Sequence, residues 1–247
     1  MGTPAPAETT VICAVWHGDP ERRALLAGHN KNLDEQTEAV ERIYVFDAGD
    51  APPPEYTDCS VVVGRSLTLY EAWNVALSLV RTPFVLNLNL DDRLAPDAIA
   101  KLNEAAQAGA DLACGDWRIC YSQEETDAVV PCHPRAELPF ARGWPLPRGT
   151  RSRLGSGVER DTYGPACLWR LALHNELPRF PWRFDDRTTV KTLGDWLFWR
   201  ELAKRKKKVA SLPFVIGNYH SHPNEQAEFR LRGQDDVKRG IEQMSLP

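Results

Sequence analysis

Two adjacent aspartates, Asp91 and Asp92, close an apolar stretch that begins at Phe84. Paired carboxylates behind a buried strand suit a hard divalent cation, Mg²⁺ or Mn²⁺. Such an ion takes one or two carboxylates and completes its shell with phosphate oxygens and water. The plainer reading is two turn aspartates, one of them capping toward Pro96. Asp185-Asp186-Arg187 repeats the letters inside a proline-rich stretch, where the turn reading is preferred. Asp47 ends another apolar run and offers acceptors to a nucleobase edge, or an Asx turn into Gly49. Asp195 opens a helical pattern, where a carboxylate can act as general base toward a hydroxyl. It also stands three residues after Thr192 and so can complete a capping box. Its neighbours Trp196 and Trp199 suit a carbohydrate-lining face or core packing. In extended chain the imidazoles of His220 and His222 share a side and can share a metal. The alternative is two solvated loop histidines. Lys204 to Lys208 is a run of five bases. Cations at a helix end complement its dipole, and near anionic lipid each contributes about 1 kcal/mol.

The elements that must position these residues alternate in type. Residues 1–10 read as a flexible tail. Val11 to Val15 is a short buried strand that stops at the turn Trp16-His17-Gly18-Asp19. Glu21 to Arg42 reads as a helix, Ile43 to Phe46 and Ser60 to Val63 as strands. Thr68 and Glu71 form a capping box, and Tyr70, Trp73, Leu77 and Val80 continue at helical spacing. Phe84 to Leu90 alternates with period two, a strand signal. Pro96 opens a helix that Gly109 closes. Strand–helix alternation over the first ~115 residues predicts a parallel, doubly wound α/β sheet. Ligands of such sheets bind beyond the strands' carboxyl ends, where the turns at Trp16, Asp47 and Asp91 all fall. Further on, Leu112 to Tyr121 and Val209 to Ile216 read as strands and Leu193 to Lys204 as a helix. Gly217 to Arg232 reads as a polar, mobile segment. Pro131 to Pro181 holds eight of the 19 prolines and reads as irregular chain.

Composition narrows the classes. At 247 residues, with 43% hydrophobic and 26% charged residues, the chain can bury a core unaided. A net charge of −4 supplies no field for nucleic acid. The six cysteines include no Cys-x-x-Cys pair, which removes zinc ribbons and dithiol redox sites. Neither a secretory leader nor an apolar run of membrane-spanning length is visible, so a cytoplasmic location with free thiols is expected. Gly-x-Gly-x-x-Gly, Walker A and Gly-x-Ser-x-Gly patterns are absent. Eight tryptophans against two methionines is unusual, and five of them fall between Trp144 and Trp199.

Taken together, the pieces from Thr10 to Asn224 resemble the family 2 glycosyltransferases. Val11 to Trp16 looks like that family's first nucleotide-contacting segment. Val45-Phe46-Asp47-Ala48-Gly49-Asp50 resembles its strand ending in Asp-Asp-Gly-Ser. Tyr70-Glu71-Ala72-Trp73-Asn74 resembles a Tyr-Asp-Ala-x-Asn helix, Phe84 to Asp92 the strand delivering Asp-x-Asp-Asp, and Gly194-Asp195 the Glu-Asp pair that carries the base. Three positions depart from the pattern: Asn89 replaces the first metal-motif Asp, Gly194 the Glu, and Val75 a Lys whose contact Arg65 can supply.

The resemblance implies a GT-A fold, a Rossmann-like, mostly parallel sheet flanked by helices. The single catalytic domain would span 11–232, with a donor half to residue 115, an acceptor half from 116, and a tail from 233. It implies inverting transfer from a nucleotide-diphosphate sugar, UDP foremost, to a glycan or glycolipid hydroxyl, as in surface polysaccharide synthesis. Trp16, His17, Asp47, Arg65, Asn74, Asn89 and Asp91 would contact the donor. Asp91 and Asp92, with His220 or His222, would hold the metal, and Asp195 would be the base. Without a membrane span the enzyme would work in the cytoplasm or at the inner membrane face, touching lipid through Lys204 to Lys208. A sugar-phosphate nucleotidylyltransferase and a non-catalytic sugar-binding relative are the competing readings.

Overall fold

The structure, a computed structural model, describes residues 6–134, 143–144, 164–182 and 194–221. In chain order the elements are β1 (Thr9–Val15), α1 (Arg22–Asp34), β2 (Glu41–Phe46), β3 (Ser60–Val62), α2 (Leu69–Leu77), β4 (Phe84–Asn87), β5 (Arg93–Leu94), α3 (Ala98–Gln107), β6 (Leu112–Cys120), α4 (Gln123–Asp127), β7 (His133–Pro134), β8 (Gly143–Trp144), β9 (Leu168–Arg170), α5 (Gly194–Lys204) and β10 (Val209–His220). Among the described residues one sheet runs in the order β3-β2-β1-β4-β9-β6-β10-β5, with β7 on β10 and β8 on β6. The neighbours β3, β2, β1 and β4 are parallel, as are β6 and β10. The expected doubly wound sheet is present. What the sequence does not announce is β9, three residues inserted antiparallel between β4 and β6.

Both faces of the sheet are covered, and strand alternation sorts the residues between them. Ile12, Val85, Leu112, Cys114 and Trp169 point to a core shared with Tyr70 and Trp73 of α2 and Phe198, Trp199 and Leu202 of α5. Their neighbours Val11, Phe84, Leu86, Ala113 and Leu168 point to the opposite core, with Ala98, Ile99 and Leu102 of α3. Burial on both faces is why Phe84, Val85 and Leu86 of β4 are apolar in succession. It also corrects the expected strand from Phe84 to Leu90. Asn87 is buried, not solvent-facing: its amide donates to the Pro165 carbonyl at 2.9 Å, and the Cys167 N–H donates to its oxygen at 3.2 Å. The strand ends there, and the chain turns into Asn89-Leu90-Asp91-Asp92.

Four other expectations are corrected. Thr9 and Thr10, expected in a flexible tail, are buried in β1, and the Thr10 hydroxyl lies 2.7 Å from that of Thr82. α1 stops at Asp34, not Arg42. α3 starts at Ala98, after Pro96, and ends where Gly109 takes φ +98°, a left-handed conformation that glycine adopts at low cost. β10 runs past Ile216 to His220, so Gly217 to His220 are strand rather than mobile chain. Its register on β6 shifts between Ser211 and Val215. Pro213 lies in that interval and has no N–H to pair. All six cysteines are free thiols, and among the described residues no helix is long and apolar enough to cross a membrane.

Candidate active site

The first corner of the site is Asp47, at the carboxyl end of β2. It is 3% exposed and its carboxylate is engaged by the protein. Oδ1 accepts from the His17 backbone N–H at 2.8 Å and faces His17 Nδ1 at 2.9 Å; Oδ2 accepts from the Leu67 N–H at 3.1 Å. Asp47 therefore ties the turn after β1 to the segment leading into α2, and its side chain does not fold onto its own turn. Ala48 and Gly49 take positive φ to let the chain reverse. Beside this corner Trp16 is 58% exposed, edge-on to His17. Arg65 is at the same edge, but its guanidinium pairs with Glu71 at 2.8 Å. Asn74 is further from a donor role: it donates to the Phe180 carbonyl at 2.7 Å and accepts from the Phe180 N–H at 3.0 Å. It clamps α2 to the chain around Phe180.

The second corner follows β4. Asp91 is partly exposed, whereas Asp92 is fully buried. The Asp92 Oδ1 accepts from the His220 backbone N–H at 2.9 Å, while its Oδ2 has no hydrogen-bond partner. Burial, then the charge of Asp91, pushes the Asp92 carboxyl well above the usual range; the His220 N–H, Arg93 and Asn89 pull it back. Arg93, given no role by the sequence reading, braces this turn. Its Nη1 donates to the Leu90 carbonyl at 2.9 Å and the Asp92 carbonyl at 2.7 Å, and its Nε pairs with Asp127 at 2.7 Å. Asn32 of α1 holds the next residue from both sides, bonding the carbonyl and N–H of Leu94 at 2.8 Å each. His220 is brought here by its backbone, its ring bonding Thr126 Oγ1 at 3.1 Å. His222 lies outside the described residues, as do Asp185 to Arg187 and Thr192.

Two hard oxygen donors on one turn, one with an orphaned buried oxygen, fit a divalent cation whose remaining ligands are diphosphate and water. Among the described residues no group of three or more His, Cys, Asp or Glu side chains could hold such an ion unaided.

The third corner is Asp195, in the first turn of α5. The Tyr70 hydroxyl donates to its Oδ1 at 3.2 Å. Thr68, which precedes Tyr70, forms the expected capping box with Glu71. Because Leu67 is held by Asp47, this corner joins the others at the carboxyl edge. Gly194 is explained by close approach: a Cβ there would stand 2.6 Å from the Tyr70 ring. Two of the clustered tryptophans, Trp169 and Trp199, are core, as are Trp73 and Trp117 outside the cluster. Trp73, Trp117, Trp169 and Trp199 are each at most 2% exposed, and Trp169 meets Phe180, Phe198 and Trp199 with ring centroids 5.6–6.0 Å apart. Core packing thus accounts for Trp199, and the Trp196 side chain lies outside the described residues. The basic run is partly neutralised, with Lys204 on Glu201 and Lys207 on Glu176, each at 2.7 Å.

Residues 51–177 match the family described as glycosyl transferase family 2. No curated protein sequence matches the chain. Among solved structures it is similar to S. aureus TarS 1-349, with TM-score 0.56 and 15% identity over 93% of this chain and 69% of that one. The TarS fragment in complex with UDP-GlcNAc gives TM-score 0.60 and 14% identity over 95% and 65%. The mannosyltransferase PcManGT from Pyrobaculum calidifontis, in complex with GDP-Man and Mn²⁺, gives 0.59 and 15% over 93% and 63%. At such identities these likenesses show the fold, and that fold is GT-A. With more than half of its residues matched to the family, the chain belongs to glycosyl transferase family 2 and is a glycosyltransferase.

Proposed function

We propose that this enzyme is an inverting transferase that moves a sugar from a nucleotide-diphosphate donor, UDP foremost, to a hydroxyl of a glycan or lipid-linked glycan. What supports this reading is a carboxylate turn, Asp91–Asp92, following β4, and a separate carboxylate, Asp195, in the first turn of α5, bonded by Tyr70 of α2, the helix whose leading segment Asp47 holds at Leu67. Relatives of the same fold bind UDP-GlcNAc, or GDP-Man with Mn²⁺.

In this reading the donor half covers residues up to about 115 and the acceptor half those beyond. The base and ribose lie along Trp16 and His17, whose turn Asp47 holds in place. Arg65 stands at the same edge for the diphosphate once it leaves Glu71. Asp91 and Asp92 hold a divalent cation, with His220 or His222 beside them, and that ion supplies Lewis-acid stabilisation of the departing diphosphate. Asp195 takes the proton of the acceptor hydroxyl. The acceptor oxygen bonds to the anomeric carbon from the face opposite the diphosphate, whose bond to that carbon breaks, and the nucleoside diphosphate leaves with the electron pair. Positioning and fixed charges carry most of the rate gain. The acceptor belongs to surface polysaccharide or glycolipid synthesis on the cytoplasmic side. The ion pairs within Lys204 to Lys208 leave lipid contact a secondary role.

The test is nucleoside-diphosphate release from a panel of UDP- and GDP-sugars with Mg²⁺ or Mn²⁺. At least one donor turns over, and Asp195→Asn abolishes that turnover. Release from no donor, or full activity in Asp195→Asn, contradicts the reading.

A further inference from the structure

We propose that Tyr70 is the positioning residue of Asp195: its phenol orients the carboxylate and holds it ionised. The inference rests on Asp195 being the base. The two residues are 125 positions apart and meet only through the fold, with the Tyr70 hydroxyl 3.2 Å from Asp195 Oδ1. A flexible contact would orient nothing, but this ring has little room to move. Tyr70 is 3% exposed, stacks on Phe180 at 6.3 Å and meets Trp73 edge-on at 5.5 Å. Its other edge lies against Gly194, where any side chain would collide with it. Phe180 is itself pinned by both hydrogen bonds of Asn74. The hydroxyl is therefore fixed from α2, while Asp195 is carried by α5.

The direction of the bond follows from charge. Burial, then the negative charge of Asp195, raises the Tyr70 phenol well above its ordinary value, so the phenol keeps its proton and donates. A donated hydrogen bond favours the ionised carboxylate and lowers its pKa. Other groups packed here leave that effect readable. The Cys167 thiol on β9's approach is raised by burial, Cys114 and Asp195, and stays neutral. His174, stacked on Phe198, is lowered to about 4 and is neutral above that. Glu71 is engaged by Thr68 and Arg65, and on α5 Glu201 pairs with Lys204.

The experiment is a ¹³C-carboxylate NMR titration of the apo protein, the Asp195 signal assigned by its loss in Asp195→Asn. In Tyr70→Phe, which keeps the packed ring, the Asp195 titration moves up by about 0.5–1 pH unit. Replacing Tyr70 by 3-fluorotyrosine, a more acidic donor that preserves shape, moves it the other way. An Asp195 titration that ignores both replacements overturns the inference. UDP-GlcNAc hydrolysis is followed in parallel; Tyr70→Phe is expected to lower kcat about tenfold with little change in KM. Undiminished hydrolysis in Asp195→Asn would remove the base reading while the titration still decides the coupling, so the two claims fail separately.

Discussion

The two carboxylate corners of this site are built from opposite materials. The Asp91–Asp92 turn is braced by charge: Arg93 spans its carbonyls, Asp127 anchors Arg93, and the His220 N–H meets Asp92. The Asp195 corner is braced by rings: Tyr70, Trp73, Phe180, Phe198 and Trp169 pack behind it, and the Tyr70 phenol reaches the carboxylate. The contrast suits the proposed tasks. A turn that must accept a cation and a diphosphate needs its own charges fixed, because unpaired buried charges are costly. A base that must take one proton needs a fixed direction, and packed aromatic rings supply rigidity without adding charge.

This contrast can be broken from either side. The largest effect falls on chemistry: Asp195→Asn should lower turnover about 10²–10⁴-fold in a nucleotide-release assay, the range of general-base catalysis. Next comes the charged corner. Arg93→Met leaves two turn carbonyls without their donor, while the half-exposed Asp127 falls back on water, and should cost about 1–3 kcal/mol in urea unfolding. It should also weaken metal-dependent donor binding, whereas a loss confined to stability would separate the brace from the site. On the aromatic side, Asn74→Ala frees both backbone groups of Phe180 and should cost about 1–3 kcal/mol. Its mark should be a lower kcat rather than a weaker donor affinity.

The smallest effect is on pH dependence. Burial lowers His29 to about 3. The unfolded chain therefore binds a proton there below about 6.5 that the folded chain refuses. Stability attributable to His29 is thus complete above that pH and falls as pH drops toward 3, by up to about 1.4 kcal/mol per pH unit. His29→Gln should flatten the decline of Tm between pH 6 and 4, and an unchanged slope would show that His29 protonates without unfolding.

Legibility in the sequence followed distance along the chain. The Thr68–Glu71 cap, the helix it starts and the strand-to-turn passage at Asp91 are local, and periodicity with capping rules finds them. Asp47 stands out in the sequence, but its bonds to His17 and Leu67 do not, because those partners lie 30 and 20 positions away. Arg93 reads as no more than the third letter of a turn, since nothing nearby in the sequence reveals that Asp127 will meet it. β9 is three residues long and sits behind a proline-rich stretch, too short for a period to register. Its antiparallel insertion places Trp169 in the core against Phe180, Phe198 and Trp199. Gly194 departs from the motif, and the ring of Tyr70 beside it gives the physical reason.

One measurement addresses the division of labour most directly: calorimetric titration of UDP with Mn²⁺ into wild type, Asp91→Asn and Asp195→Asn, with donor turnover recorded on the same samples. The account predicts that Asp91→Asn loses the Mn²⁺-dependent part of UDP binding, and that Asp195→Asn binds UDP as wild type does while turning over no donor. Manganese-dependent binding that survives in Asp91→Asn, or turnover that survives in Asp195→Asn, would contradict it.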